Sequence, residues 1–137
     1  MFFFFCIFAL KKVVSFTLMK STLFYSKILL FGEYGIIKDS KGLAIPYNSY
    51  NGTLKKVPLS EQNKEQEQSN RSLAKYFVYL SEITQGEAPL VQFDMERLSE
   101  DIAQGMYFDS SIPQGYGVGS SGALVAAIYD TYAIDKI

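Results

Sequence analysis

Histidine is absent from the 137 residues, and cysteine occurs once, as Cys6. An imidazole base, a Ser–His pair and a histidine-ligated zinc are therefore excluded for this chain alone. One cysteine also excludes an internal disulfide and a cysteine metal cluster. Charge of either sign is not in excess: 13 Lys and Arg against 14 Asp and Glu give a formal net charge of −1. No global field favours nucleic acid or an anionic membrane, so neither a nucleic-acid partner nor a stable membrane partner is expected. The apolar run Phe2 to Leu10 is too short to span a bilayer as a helix, and Lys11-Lys12 interrupt it. It also lacks a signal peptide's order of positive charge, apolar core and small-residue cleavage site. Residues 1–18 are read as an upstream translation start or a non-native extension outside the fold, the alternative being a membrane-associated tail. Met19 stands directly before Lys20 and the first candidate strand.

What remains is an ordinary globular composition, 48% hydrophobic and 20% charged, enough for one core, and residues 19–137 are read as one domain. The 11 Phe and 10 Tyr are scattered and belong to a core more naturally than to a cofactor box. Leu23 to Phe31 reads as a strand ended by Gly32. Short apolar pieces at Ile36-Ile37 and Leu43 to Ile45 flank a polar turn at 38–42. An extended segment then runs from Pro46 to Leu59, with Asn51-Gly52 as a hairpin signal. Ser60 to Ser72 is polar and reads as a solvated loop or a helix start. Leu73, Tyr76, Phe77 and Leu80 recur at helical spacing and predict an amphipathic helix over 72–84, broken by Gly86 and Pro89. Leu90 to Phe93 reads as a short strand. Asp94 caps a helix over Met95 to Gln104, which Gly105 closes. Met106 to Ile112 is a strand that leads into a glycine-rich stretch and a helix over Ser120 to Ile134. Strands, two helices, and a strand feeding a helix predict an α+β layered domain.

The glycine-rich stretch is Pro113-Gln114-Gly115-Tyr116-Gly117-Val118-Gly119-Ser120-Ser121-Gly122-Ala123. Glycines allow positive φ and close approach to a ligand. A glycine turn feeding a helix N-terminus aims several backbone N–H groups and the positive dipole end at one spot, an anion site. Three readings compete. In the first the two serines simply cap the helix, with no ligand bound. Gly117-x-Gly119-x-x-Gly122 fits a dinucleotide fingerprint, which would need an acidic residue at the end of a second strand about 20 residues on. The third is a nucleotide phosphate loop other than a P-loop, since no Lys-Ser or Lys-Thr follows the glycines.

This stretch resembles the central motif of the GHMP kinase superfamily, which includes galactokinase, homoserine kinase, mevalonate kinase and phosphomevalonate kinase. Lys27-Ile28-Leu29-Leu30-Phe31-Gly32-Glu33-Tyr34-Gly35-Ile36 resembles that superfamily's first motif in its mevalonate-kinase-like form, and the two occur in the expected order. The resemblance covers Tyr25 to Tyr132. It implies an N-terminal GHMP domain with a ribosomal protein S5 domain 2-like fold, acting in the cytoplasm as part of an ATP-dependent kinase of a small alcohol, most similar to mevalonate kinase. ATP and Mg²⁺ are the implied cofactors, and a homodimer is a possible state of the full-length enzyme. By this resemblance Pro113, Gly115, Gly117, Val118, Gly119, Ser120, Ser121, Gly122 and Ala123 form the nucleotide site. Ser121 is the metal-ligand candidate. Lys27 faces the reacting phosphate or acceptor, and Glu33 and Tyr34 lie near the substrate.

Tyr34 stands where mevalonate kinases usually carry histidine, and with Gly-Ser-Ser-Gly in the loop this is closer to some phosphomevalonate kinases. The family's downstream glutamate, aspartate and third glycine-rich motif have no match in this chain. Asp130 and Asp135 are read as surface acids. The expectation is therefore the N-terminal portion of a longer kinase, inactive by itself. The rival readings are a non-catalytic nucleotide-binding module and a dinucleotide-binding domain.

Overall fold

A computed structural model describes residues 22–31, 41–86, 89 and 91–136. Three strands, β1 (Phe24–Phe31), β2 (Leu43–Lys56) and β3 (Met106–Ser110), form one sheet in the order β1-β2-β3. Among the described residues, a 3-10 turn (Leu59–Glu61) and two α-helices, α1 (Lys64–Thr84) and α2 (Met95–Ala103), lie between β2 and β3, and α3 (Ser120–Tyr132) follows β3. The mixed architecture with a wholly antiparallel sheet is consistent with the expected α+β class. Among the described residues, no helix is long and apolar enough to cross a membrane.

The sheet is built around an offset central strand. β1 pairs with the stretch of β2 from Leu43 to Gly52, and β3 pairs with the stretch from Gly52 to Lys56. Only Gly52 has a partner on both sides, Phe24 and Ser110. The expected hairpin at Asn51-Gly52 is thus corrected: β2 runs straight through it. Gly52 does not adopt the positive φ that a type I′ turn requires. A Cβ at Gly52 would lie 2.2 Å from Cζ of Phe108, so the glycine serves the ring packed over it. Irregularity enters nearby instead. Tyr25 pairs with Asn51 but Ser26 pairs with Tyr47, leaving Asn48 to Tyr50 as a bulge in β2. The fully buried Ser26 hydroxyl fixes that register by donating to the Tyr47 carbonyl at 2.7 Å.

Beyond the bulge, β1 and β2 form a two-stranded ribbon. Leu29, Leu30, Leu43 and Ile45 are exposed there, and Phe31 is 70% exposed. The core lies at the other end of the sheet. Leu54 and Met106 from the strands meet Leu73 and Leu80 of α1, Leu98 of α2, and Ala127, Ile128 and Tyr132 of α3. The expected 72–84 spacing is the core-facing stripe of α1, with Tyr76 and Phe77 packed against that cluster.

Helix α1 begins well before that stripe. Asn63 and Gln66 form a capping box: the Asn63 side chain accepts from the Gln66 N–H at 2.9 Å, and the Asn63 N–H donates to Oε1 of Gln66 at 3.0 Å. The polar stretch read as a solvated loop or a helix start is therefore helix from Lys64, and part of it faces β3. Ser69 Oγ donates to the Phe108 carbonyl at 3.0 Å and accepts from the Phe108 N–H at 2.9 Å. The Asn70 amide donates to the carbonyls of Ile102 and Met106 at 2.9 and 2.6 Å. At Phe108 and Met106 these side chains satisfy backbone groups of β3, and Asn70 also ties the end of α2 to the same helix.

Asp94 caps α2 as expected, accepting from the Arg97 N–H at 3.0 Å. Of the strand expected at Leu90 to Phe93, Leu90 lies outside the described residues, and residues 91–93 make a single bridge, between Phe93 and Ala133. The end of α3 supplies the partners: Asp94 N–H donates to the Tyr132 carbonyl at 2.8 Å, and Ile134 N–H to the Gln92 carbonyl at 2.9 Å. A helix C-terminus has carbonyls without intrahelical donors, and this segment takes up one of them rather than joining the sheet.

Candidate functional site

The glycine-rich loop leaves β3 at Ser110 and is tied down at both ends. At its start Ser111 N–H donates to the Asn51 carbonyl at 2.9 Å, and Ser111 Oγ accepts from the Asn51 N–H at 3.1 Å. At its end the Val118 carbonyl accepts from the Lys27 N–H at 3.0 Å. Gly115 and Gly117 between these anchors and Gly119 just past them all adopt positive φ, at 81°, 69° and 85°. Nothing lies within 4 Å of a Cβ built at Gly115 or Gly117, so backbone conformation rather than crowding calls for glycine there.

The loop passes directly into α3. Gly119, left-handed, is the residue before the helix, and no side chain caps it. The expectation that the serines cap the helix is corrected: Ser120 and Ser121 are its first two residues. Among the described residues neither serine hydroxyl makes a hydrogen bond. The first-turn N–H groups and the dipole's positive end are thus presented without a side-chain acceptor.

Ser120 and Ser121 line a cleft of about 690 Å³ between the loop, α1 and β3. Gln114 and Gly115 form its loop side, and Gln66, Ser69 and Tyr107 its opposite wall. Gln66 also donates to the Tyr107 hydroxyl at 3.2 Å, which fixes that wall. Asp109 reaches the cleft but is paired with Lys55 at 2.5 Å, and that contact raises the Lys55 ammonium above its usual pKa.

Lys27 approaches the same helix end from β1. Its stem crosses the loop where a Cβ on Gly119 would lie 2.9 Å from its Cγ. Its Nζ would be 3.8 Å from a Cβ on Gly122. Lys27 makes no ion pair among the described residues. An ammonium beside the positive end of a helix is unfavourable unless an anion lies between them. The fold thus brings Lys27 and the loop, separate in the sequence, to the same helix end.

The remaining expected residues divide. Pro113 is half-buried and Ala123 is buried, where its N–H donates to the Gly119 carbonyl at 3.0 Å, so both shape the loop from within. Glu33 and Tyr34 lie outside the described residues. Asp130 and Asp135 are exposed as expected, and Asp130 pairs with Lys136 at 3.2 Å. The βαβ context of a dinucleotide fingerprint is not met, since β3 belongs to an antiparallel sheet.

A second polar cluster escaped the sequence reading. Asp101 of α2 is 7% exposed and pairs with Lys56 of β2. Tyr132 of α3, 1% exposed, donates to Asp101 Oδ2 at 2.6 Å, and the Arg97 guanidinium lies 5.4 Å from its ring centroid. Burial, then the Asp101 contact, raises the Tyr132 phenol far above its ordinary pKa. The cluster clamps α2, α3 and β2 together and does not line the cleft. The available signal was an acid at Asp101, one helical step from Leu98 on the buried side.

The donor set fits phosphate groups, with bare glycines, first-turn N–H groups, and two hydroxyls and a lysine that have no partner among the described residues. For a metal, the Ser121 hydroxyl supplies one oxygen. Among the described residues no group of three His, Cys, Asp or Glu side chains gathers. Mg²⁺ is usually held by one or two carboxylates together with substrate phosphates, and the carboxylates that line the cleft are those of Glu65 and Asp109. Comparison with models of known families, with curated proteins and with solved structures finds no match.

Proposed function

We propose that this chain is the nucleotide-phosphate-binding part of a GHMP-type small-molecule kinase, with the S5 domain 2-like fold of that superfamily. The convergence of Lys27 on Gly119 and Gly122 at the start of α3 carries the reading. The two stretches that resemble GHMP motifs lie far apart in the sequence, and a phosphoryl-transfer site needs such a cation beside a phosphate-binding loop. In this reading the loop N–H groups and Ser120 hold the phosphates of ATP in the cleft. Ser121 contributes a hydroxyl to Mg²⁺, which neutralises phosphate charge. Lys27 lies on the other side of the first turn, toward the acceptor. The acceptor's hydroxyl oxygen gains the γ-phosphoryl group and its proton leaves, giving a phosphate ester and ADP.

Mevalonate is the proposed acceptor, in cytoplasmic isoprenoid synthesis. Phosphomevalonate is the second, favoured by Tyr34 and by Gly122 after the paired serines; there a phosphate oxygen in place of a hydroxyl takes the γ-phosphoryl group, giving a diphosphate and ADP. Two measurements test the reading. Calorimetric titration of the chain with MgATP should show binding, and a heat-silent titration of folded chain overturns the nucleotide site. The enzyme from the full open reading frame should then convert ATP and one of the two acceptors to ADP. Binding without turnover on either would replace the kinase reading with a non-catalytic nucleotide module.

A further inference from the structure

We propose that Gly119 is a positioning residue for Lys27, an inference that rests on the phosphate-site reading above. Two properties meet at Gly119. Its φ of +85° starts α3 without a side-chain cap. Its missing side chain leaves the groove through which Lys27 crosses the loop, with a built Cβ 2.9 Å from Cγ and 3.5 Å from Cε. The obstructed atom is Cγ, close to the backbone. That backbone is itself held by the Lys27 N–H bond to Val118 at 3.0 Å, so the stem cannot step aside without moving its ammonium. The Nζ then reaches the first turn, where it would stand 3.8 Å from a Cβ on Gly122. Ser120 and Ser121 face the cleft while Gly119 and Gly122 face Lys27. Lys27 therefore reaches the same first turn of α3 from the side opposite the cleft, where its charge acts on an anion held at the helix end, and Gly119 sets where the lysine meets it.

Gly119→Ala would add backbone strain to the obstruction. Gly119→Asn keeps the added backbone strain small, because asparagine tolerates left-handed φ yet still carries a Cβ; its side chain can also cap α3, and the Overhauser contacts below separate that effect from the displacement of Lys27. The test compares the whole chain with K27M, G119N and the double variant, titrated calorimetrically with MgATP. If Gly119 acts through Lys27, each single substitution weakens binding about tenfold, the scale of one charge-assisted contact. The double variant then loses no more than either single one. Wild-type affinity in G119N, or losses that multiply in the double variant, overturns the proposal. Nuclear Overhauser contacts between the Lys27 methylenes and the Gly122 N–H supply a readout without nucleotide. They are expected in the wild-type chain and lost in G119N, and their persistence in G119N overturns the proposal as well. A wild-type chain that does not bind MgATP refutes the phosphate-site reading, while the Overhauser contacts still decide whether Gly119 places Lys27.

Discussion

The backbone N–H of Lys27 donates to the carbonyl of Val118 at 3.0 Å, so the loop is held against β1 by main chain as well as by the lysine's stem. Side-chain substitution at the loop can therefore remove chemistry without releasing the loop.

Ser121→Ala is the direct case. Its hydroxyl neither caps α3 nor makes a hydrogen bond among the described residues. Unfolding free energy should change by less than about 0.5 kcal/mol, against about 1 kcal/mol for a lost cap. In the full-length enzyme the same substitution should lower turnover by roughly 10²–10³-fold, the scale of one preorganised electrostatic contact. Urea unfolding and a coupled ADP assay report the two quantities. Unchanged turnover would remove Ser121 from the metal site.

Gly52→Ala places a methyl into the Phe108 ring, where the built Cβ is 2.2 Å from Cζ. Overpacking of this kind should cost about 1–3 kcal/mol in urea unfolding. Trimming the ring with Phe108→Leu in the same chain should recover part of that loss. Equal losses in both backgrounds would mean that the ring is not what excludes a side chain at 52.

Ser69→Ala leaves the Phe108 N–H and carbonyl on the edge of β3 without their partner. The expected cost is about 1–3 kcal/mol, read from the shift in denaturation midpoint. Ser72→Ala makes the comparison, because that hydroxyl bonds only its own helix at Gln68. A Ser69 variant as stable as the Ser72 variant would count against the edge-strand role.

Asp101→Asn should destabilise by about 2–3 kcal/mol, less than the 3–5 kcal/mol of a fully buried pair because Lys56 reaches water. Tyr132 adds a pH dependence. Its folded-state pKa lies above its ordinary value of 10.0, so folding favours the protonated phenol. That stability is complete below the unfolded pKa, and declines as pH rises past it because the unfolded chain releases the proton first. Tyr132→Phe should flatten part of the alkaline decline above about pH 10 in thermal melts, and an unchanged decline would assign it to other groups.

What the sequence made legible was local. Asp94, Gly105 and the Leu73 to Leu80 spacing are signals read within a few residues, and α2 and the stripe of α1 follow them. Asn51-Gly52 is an equally local signal and misleads, because a ring from Phe108 decides what residue 52 can carry. Asn63 and Gln66 did spell a capping box, but the polarity between them and Leu73 hid a helix whose polar side chains serve β3. At the site, the motifs named Lys27 and the loop separately. Their crossing at Gly119 depends on where β1 lies relative to α3, which no spacing within either motif contains. Asp101 left one local signal, its spacing from Leu98, but its partners Lys56 and Tyr132 come from two other elements, which no local spacing contains.

The offset of β2 sets an order of events during folding. Its pairing with β1 joins neighbours in sequence, while its pairing with β3 must close a loop that includes α1 and α2. Short closures cost less entropy and occur sooner. The ribbon should therefore precede the core, and the bond from Lys27 to Val118 must wait until β3 and α3 are in place. A nascent or partly unfolded chain would hold its lysine on a formed strand with no loop to meet it, so anion binding would report on completion of the fold and ligand would draw the chain through its last step.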